Sequence, residues 1–317
     1  MNIKEELSIV IPCYRSEKTI GKVVEEIIQV NGEVKEIILV NDGSPDNVWD
    51  EICRLNRKYR FIKGIDLSRN FGQHSALMAG YRAAKGNYII SMDDDGQSDP
   101  EGIGILCGKI EEGYDVVYAY YAVQKKSGFR MLGSFLNRKM SEWMIEKPKT
   151  IQGNSFFIMR GFVKDEIIRY EHSYPYIGGL VFRTTKNIGE TEIVHRARSE
   201  GRSGYTLGKL IRLWMNGFTA FSILPLRIAT YSGVICAVAG FILGIVFIVR
   251  KILNPAIILG YSSLIAVILF ASGLMMMMMG MMGEYIGRIY INSNCSPQYV
   301  IRETTEEKIL GHNEDKK

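Results

Sequence analysis

The sequence has five cysteines, Cys13, Cys53, Cys107, Cys236 and Cys295, and no Cys-x-x-Cys pair among them. An odd, scattered set builds neither a disulfide framework nor a zinc site, and it suits a reducing compartment. The four histidines, His74, His172, His195 and His312, lack metal-ligand spacing. No Gly-x-Gly-x-x-Gly opens the first helical segment, where Pro12-Cys13-Tyr14-Arg15-Ser16-Glu17 stands instead, and this argues against a dinucleotide-binding dehydrogenase. The first residues, MNIKEELSIVIP, put two acids and a lysine before an apolar run too short for a signal peptide. Charge is missing from two long stretches, 228–249 and 252–283.

What is present fills 317 residues, 47% hydrophobic and 23% charged, which excludes disorder, collagen and a small disulfide scaffold. Crossing a bilayer takes about 20 apolar residues, so each uncharged stretch is read as a span, with Arg250, Lys251, Asn254 and Pro255 in the turn between them. Two buried helices of a soluble core would not need stretches so long. Net charge is +5, but the excess does not point to nucleic acid. Six basic residues, Arg196, Arg198, Arg202, Lys209, Arg212 and Arg227, precede the first span against one acid, Glu200. That pattern suits anionic lipid headgroups or phosphates, and the positive-inside rule puts this side in the cytoplasm.

Within 206–221, Leu207, Leu210, Ile211, Trp214 and Phe218 share one helical face, as in a helix lying in the membrane interface. A helix packed on a core would show the same pattern. Seven of the fifteen methionines fall between Met275 and Met282 and are read as span packing. The stretch 302–317 has mixed charge without periodicity and is expected to be mobile. The domain layout is therefore a cytoplasmic catalytic domain (1–204), a juxtamembrane amphipathic helix (205–224), two transmembrane helices (225–283) and a cytoplasmic tail (284–317).

Short apolar runs alternate with amphipathic segments through the first part of the chain, which predicts an α/β sheet. Strands are expected at 7–11, 36–40, 63–66, 88–92 and 116–118, and helices at 19–29, 47–58, 73–84 and 100–111. Asp99 should cap the last of these, with Pro100 at its first position. Residues 119–148 read as a loop and an amphipathic helix beside the site, and further strands are expected at 156–159 and near 189–195. In such sheets ligands bind beyond the carboxyl ends of the strands, where Asp42, Asp93, Asp94 and Asp95 gather.

Asp93 and Asp95 can face the same way off the strand end and offer hard oxygens to Mg²⁺ or Mn²⁺, which would also meet a diphosphate. A solvated acidic turn would look the same. In Val40-Asn41-Asp42-Gly43-Ser44-Pro45-Asp46 a tight turn carries carboxylates able to accept hydrogen bonds from a base or ribose, and here too a plain turn is the alternative.

Together these segments resemble the polyprenyl-phosphate glycosyltransferases of glycosyltransferase family 2, the group of dolichyl-phosphate mannose synthase and the bacterial undecaprenyl-phosphate sugar transferases. The resemblance runs from Leu7 to about Ile301 through SIVIPCYRSEKTI, ILVNDGSPD, LSRNFGQHSALMAGY, DDDGQSDPE, RSEGRSGY and the hydrophobic pair followed by GEYIGR. It implies a GT-A nucleotide-sugar-binding domain, an interfacial helix and a two-helix transmembrane hairpin. It also implies transfer of one sugar, with inversion, from a UDP-sugar to undecaprenyl phosphate at the cytoplasmic membrane face.

By the same resemblance, Pro12, Tyr14, Glu17 and Asp42 would surround the uracil and ribose. Asp93, Asp95 and Gln97 would bind the metal and diphosphate, with Asp94 in the variable middle position. Arg198, followed by Gly201 and Ser203, would contact phosphates, and Arg130 and Ser134 would meet the lipid phosphate. The chain departs from the family where Arg15-Ser16 replaces Asn-Glu, so that Glu17 stands in. At Gly204 the family carries a lysine, for which Arg202 is the substitute. The basic residue expected after the fifth strand has only Lys125 and Lys126 as candidates.

Two rivals remain on sequence grounds. A processive polysaccharide synthase would carry Gln-x-x-Arg-Trp and more spans, whereas this chain has Arg212-Leu213-Trp214. A catalytically silent scaffold would not need the acidic cluster. A chain cut near Ser222 keeps Asp42, Asp93, Asp95, Arg130 and Arg198, and is expected to fold and bind UDP. Whether copies form a homo-oligomer is left open by the sequence.

Overall fold

The computed structural model describes residues 3–32, 34–121, 151, 153–194, 224–253, 261–294 and 296–306. They fall into two units: Met1–Gly204 with Cys295–Lys317, and Tyr205–Asn294.

In the first unit a 3-10 turn (Ile3–Glu6) leads into β1 (Leu7–Cys13), α1 (Ile20–Asn31), β2 (Glu36–Asn41), α2 (Val48–Lys58), β3 (Ile62–Leu67), α3 (Gln73–Ala83), β4 (Tyr88–Ser91), α4 (Glu101–Glu111) and β5 (Val116–Tyr120). β6 (Phe157–Arg160), α5 (Gly161–Ile168), α6 (Ile177–Thr184) and β7 (Ile188–Glu192) follow. The alternation of side chains along each strand explains the three layers. Ile9, Ile11, Cys13, Ile37 and Leu39 pack with Val23, Val24 and Ile27 of α1, Ile52 and Leu55 of α2, and Leu106 and Ile110 of α4. Val10, Ile38 and Val40 pack on the other face with Met78 and Ala79 of α3, Val163 and Ile167 of α5, and Leu180 and Val181 of α6. A sheet covered on both faces calls for continuous apolar strands, and β1 is buried along its whole length.

With β8 (Ile301–Thr304) the sheet has eight strands among the described residues, in the order β7-β5-β6-β4-β1-β2-β3-β8. β1 runs parallel to both β2 and β4, β2 to β3, and β5 to β7; β6 is antiparallel to β4 and β5. β8 corrects the expectation of a mobile tail at its first residues, since it pairs antiparallel with β3; residues 307–317 lie outside the described residues. The physical reason is the edge of β3, which offers unpaired backbone groups, and a tail that brings matching side chains. Arg302 Nη1 reaches Asp66 Oδ2 at 3.3 Å, Trp49 Nε1 donates to Glu303 Oε1 at 2.7 Å, and the Gly64 N–H donates to Thr305 Oγ1 at 2.9 Å. Upstream, Gln298 Nε2 donates to the carbonyls of Tyr170 and His172 at 3.2 and 2.9 Å.

The second unit contains α7 (Leu224–Leu253) and α8 (Tyr261–Ser293). α7 continues through Arg250 and Lys251, which the sequence reading placed in the turn. The two helices meet where Gly233 faces Met278. Other side chains on them are apolar and exposed, including Tyr231, Phe241, Ile252, Phe270, Met276 and Met279. Both helices are described only in part, and among the described residues no helix is long and apolar enough to cross a membrane. The expected helix at 206–221 lies outside the described residues.

Candidate active site

The strand order turns at β1, with β2 and β3 on one side and β4 on the other. The carboxyl ends of the parallel strands on either side of this turn are where α/β sheets bind ligands. The loops that follow β1, β2 and β4 touch one another at this point. After β1, the Tyr14 N–H donates to Asp94 Oδ2 at 2.9 Å, which bridges the β1 and β4 loops. The Arg15 N–H donates to Ser44 Oγ at 2.8 Å and the Glu17 N–H to Asp46 Oδ2 at 3.0 Å. Arg15 holds φ +58°, a left-handed conformation that is uncommon for a non-glycine residue, and its guanidinium lies 5.5 Å from the centre of the Tyr14 ring. Pro12 is buried inside β1 opposite Val40, Tyr14 is 43% exposed, and the Glu17 carboxylate accepts the Asn47 N–H at 3.3 Å at the start of α2.

After β2, Asp42 is 3% exposed, and its carboxylate faces the protein. Oδ1 accepts the Phe71 N–H at 2.7 Å and Oδ2 the Gly72 N–H at 2.9 Å. Burial nevertheless pushes the Asp42 carboxyl above its usual range, those two hydrogen bonds opposing the shift. The turn requires Gly43: at φ +56° it sits where a Cβ would lie 2.2 Å from the Arg69 carbonyl carbon. Residues 69–72 therefore rest directly on the 42–44 turn.

After β4, Asp93 and Asp95 are half-buried. Asp93 Oδ1 accepts Nε2 of Gln73, the first residue of α3, at 2.8 Å, and Oδ2 accepts the Ser155 hydroxyl. Asp95 Oδ1 accepts the Gln97 N–H at 3.0 Å across Gly96, which holds φ +73°. Asp99 Oδ1 accepts the Glu101 N–H at 3.0 Å, but α4 begins at Glu101 with Pro100 as its N-cap, so the expected cap at Asp99 with Pro100 at the first helical position is displaced by one residue. Tyr121 stands beside the cluster, its hydroxyl 3.4 Å from Ser98 Oγ. Burial, then the charges of Asp93 and Asp95, raise its hydroxyl above the ordinary value. Among the described residues no three His, Cys, Asp or Glu side chains converge on one point. Two accessible carboxylates fit Mg²⁺ or Mn²⁺, which take few protein ligands and complete their shell with water and phosphate oxygens.

Arg130, Ser134, Arg198 and Ser203, with Lys125, Lys126, Arg202 and Gly204, lie outside the described residues. Gln73 and Ser155 were not among the expected site residues. Gln73 lies in the quoted RNFGQHSALMAGY stretch, and its place directly after a glycine at a helix start was the available signal. Ser155, between segments, had none.

Residues 8–165 match Glycosyl transferase family 2, and residues 224–289 match the GtrB C-terminal hairpin. The Uncharacterized glycosyltransferase YkcC of Bacillus subtilis is 33% identical over 303 residues, 94% of each chain. The chain belongs to glycosyltransferase family 2. An Undecaprenyl-phosphate 4-deoxy-4-formamido-L-arabinose transferase of Proteus mirabilis is 33% identical over 322 residues, 98% of this chain and 97% of that one. Glucosyl-3-phosphoglycerate synthase from Mycobacterium tuberculosis, solved with Mn²⁺ and uridine-diphosphate-glucose, superposes with a TM-score of 0.53 at 18% identity, covering 68% of this chain and 77% of that one. That likeness establishes the fold, a GT-A-like α/β arrangement around a mixed sheet.

Two groups near the site of this family 2 glycosyltransferase have shifts that act on stability in opposite senses. Burial, helped by the charge of Asp93, lifts Asp94 from 3.8 to about 6 against the Ser16 hydroxyl and Tyr14 N–H. Burial alone lowers His74 from 6.5 to about 4, with its ring edge-on to Tyr176 at 5.2 Å. The folded state holds the Asp94 proton more tightly than the unfolded chain does, so this contribution falls as pH rises from 3.8 to 6. It holds the His74 proton less tightly, so that contribution grows as pH rises from 4 to 6.5. Asp94→Asn should therefore make stability climb more steeply with pH between 4 and 6, as read by urea midpoints. A curve parallel to that of the parent would mean Asp94 titrates as it does in the unfolded chain.

Proposed function

We propose that this enzyme transfers a single sugar, with inversion, from a UDP-sugar to undecaprenyl phosphate at the cytoplasmic face of the cell membrane. One observation carries the reading: the end-to-end likeness to an enzyme named for sugar transfer to undecaprenyl phosphate. The uncharged stretches within α7 and α8, their exposed apolar side chains and the match to the GtrB hairpin support their crossing the membrane. In this reading the catalytic unit faces the cytoplasm.

Pro12, Tyr14 and Glu17 form the uridine side of the site, with Asp94 and Gln97 lining it, and Asp42 supports that side from behind by holding the loop at Phe71 and Gly72. Asp93 and Asp95, with Gln97, hold Mg²⁺ or Mn²⁺, which when bound offsets the charge that builds on departing UDP. The acceptor needs no general base, since a phosphate monoester has its second pKa near 6 and is largely a dianion at neutral pH. Catalysis is then positioning and charge stabilisation. Arg130 and Arg198 hold phosphates that would otherwise repel each other, and Ser134 and Ser203 add hydrogen bonds to the acceptor phosphate.

Purified full-length protein given a panel of labelled UDP-sugars and undecaprenyl phosphate should yield a mild-acid-labile lipid carrying one sugar. A growing polymer would favour the processive synthase, and no lipid product from any UDP-sugar, with UDP binding intact, would overturn the assignment. Arg130→Ala should raise the KM for the lipid roughly tenfold while sparing UDP affinity, because its partner is the acceptor phosphate. An equal loss of UDP affinity would put Arg130 on the donor side.

A further inference from the structure

The most buried acid of the site, Asp42, spends its hydrogen bonds on the loop before α3 rather than on Asp93, Asp94 or Asp95. Asp42 spends one oxygen on the Phe71 N–H and the other on the Gly72 N–H, and its backbone carbonyl accepts Asn70 Nδ2 at 3.2 Å. Those residues are the last before α3, and the next, Gln73, donates from its side chain to Asp93 Oδ1. The contact of Gly43 with Arg69 and Asn70 leaves no slack between the two loops. We propose that Asp42 is a positioning residue, which fixes the start of α3 so that Gln73 holds the Asp93 carboxylate in its cation-binding orientation. The inference rests on the reading that Asp93 holds the divalent cation.

Three points of chemistry support it. First, a carboxylate is the side chain that can take two neighbouring N–H groups on two separate oxygens. An amide of the same shape has one oxygen and would turn its NH₂ toward the second donor. Keeping a buried acid whose carboxyl is raised by desolvation therefore serves the geometry of 71–73. Second, Asp93 is held at both oxygens, by Gln73 on one side and Ser155 on the other, so turning it breaks a charge-assisted hydrogen bond. Third, partners that orient a ligating carboxylate typically change metal affinity by about 10–100-fold when removed.

The test is Mn²⁺ titration of the full-length protein with UDP present, free Mn²⁺ being read by electron paramagnetic resonance, alongside UDP affinity in EDTA. Gln73→Ala, an exposed position that leaves the core intact, should weaken Mn²⁺ binding roughly tenfold with UDP affinity in EDTA unchanged. Asp42→Asn should weaken Mn²⁺ in the same direction, and the double variant should be no worse than the weaker single, since both changes cut one chain of contacts. If Asp42→Asn does not fold, Asn70→Ala, which removes the side-chain bond to the Asp42 carbonyl and leaves the buried carboxylate in place, replaces it in the cycle. Parent-like Mn²⁺ affinity in Gln73→Ala, or shifts that multiply in the double variant, would overturn the coupling. Asp93→Asn tests the premise separately: unchanged Mn²⁺ binding there would remove the cation from Asp93, whatever Gln73 does.

Discussion

Asp95→Asn should lower turnover by at least ~10²-fold while the unfolding midpoint stays with the parent. The substitution keeps the volume and the oxygen that accepts the Gln97 N–H, so the turn through Gly96 survives. What disappears is one negative charge facing the proposed cation, at the point where charge builds on the leaving diphosphate. Removing one such stabilising group typically costs about 10²–10³-fold in rate. The loss should be larger in Mg²⁺ or Mn²⁺ than in EDTA, where little activity remains to lose. Near-parent turnover at saturating Mn²⁺ would take Asp95 out of the mechanism.

A chain lacking residues 295–317 should lose about 3 kcal/mol or more of catalytic-unit stability, a drop in Tm of roughly 10 °C for a unit of this size. The cut removes β8 and strips the edge of β3. The Gly64 N–H loses Thr305, itself 2% exposed, and Asp66, also 2% exposed, keeps Asn41 Nδ2 at 2.6 Å but loses Arg302. Trp49 Nε1 loses Glu303. The damage should extend to the site, because Asn41 Oδ1 also accepts the Ser44 N–H at 3.0 Å, and Ser44 Oγ receives the Arg15 N–H. UDP affinity should fall along with stability. This reverses the expectation that a chain ending near Ser222 folds and binds nucleotide, since that cut removes β8 too. Trp49→Phe and Arg302→Ala in the full chain give graded versions of the same loss. Unchanged Tm and UDP affinity on removal of 295–317 would show that β8 is dispensable.

The alternation of buried strands with amphipathic helices was legible because its period is local: side chains two apart on β1 or four apart on α1 meet the same layer. The observed ends of these elements differ from the expected ones by up to three residues, the most at the end of β7, where caps and fraying decide. The acidic turns at 42–46 and 93–97 were legible because they end apolar strands, and the uncharged stretches because absence of charge needs no partner to be seen. The helices at Gly161–Ile168 and Ile177–Thr184 were missed, being two short turns of chain whose burial comes from the sheet above them.

Tertiary structure decided the rest. Trp49 and Glu303 are 254 positions apart, Ser155 and Asp93 62 apart, and Gln73 and Asp93 20 apart, and none of these pairings has a local periodicity to announce it. Periodicity says which face of an element is buried. It does not say which other element completes its hydrogen bonds. The sequence by itself therefore determined the α/β layers, the strand ends where acids collect and the family. Only the folded sheet decided that the segment after α8 closes its edge, that Asp42 turns inward to hold a loop, and that Gln73 and Ser155 fix Asp93, because each depends on groups brought together by chain closure rather than by spacing.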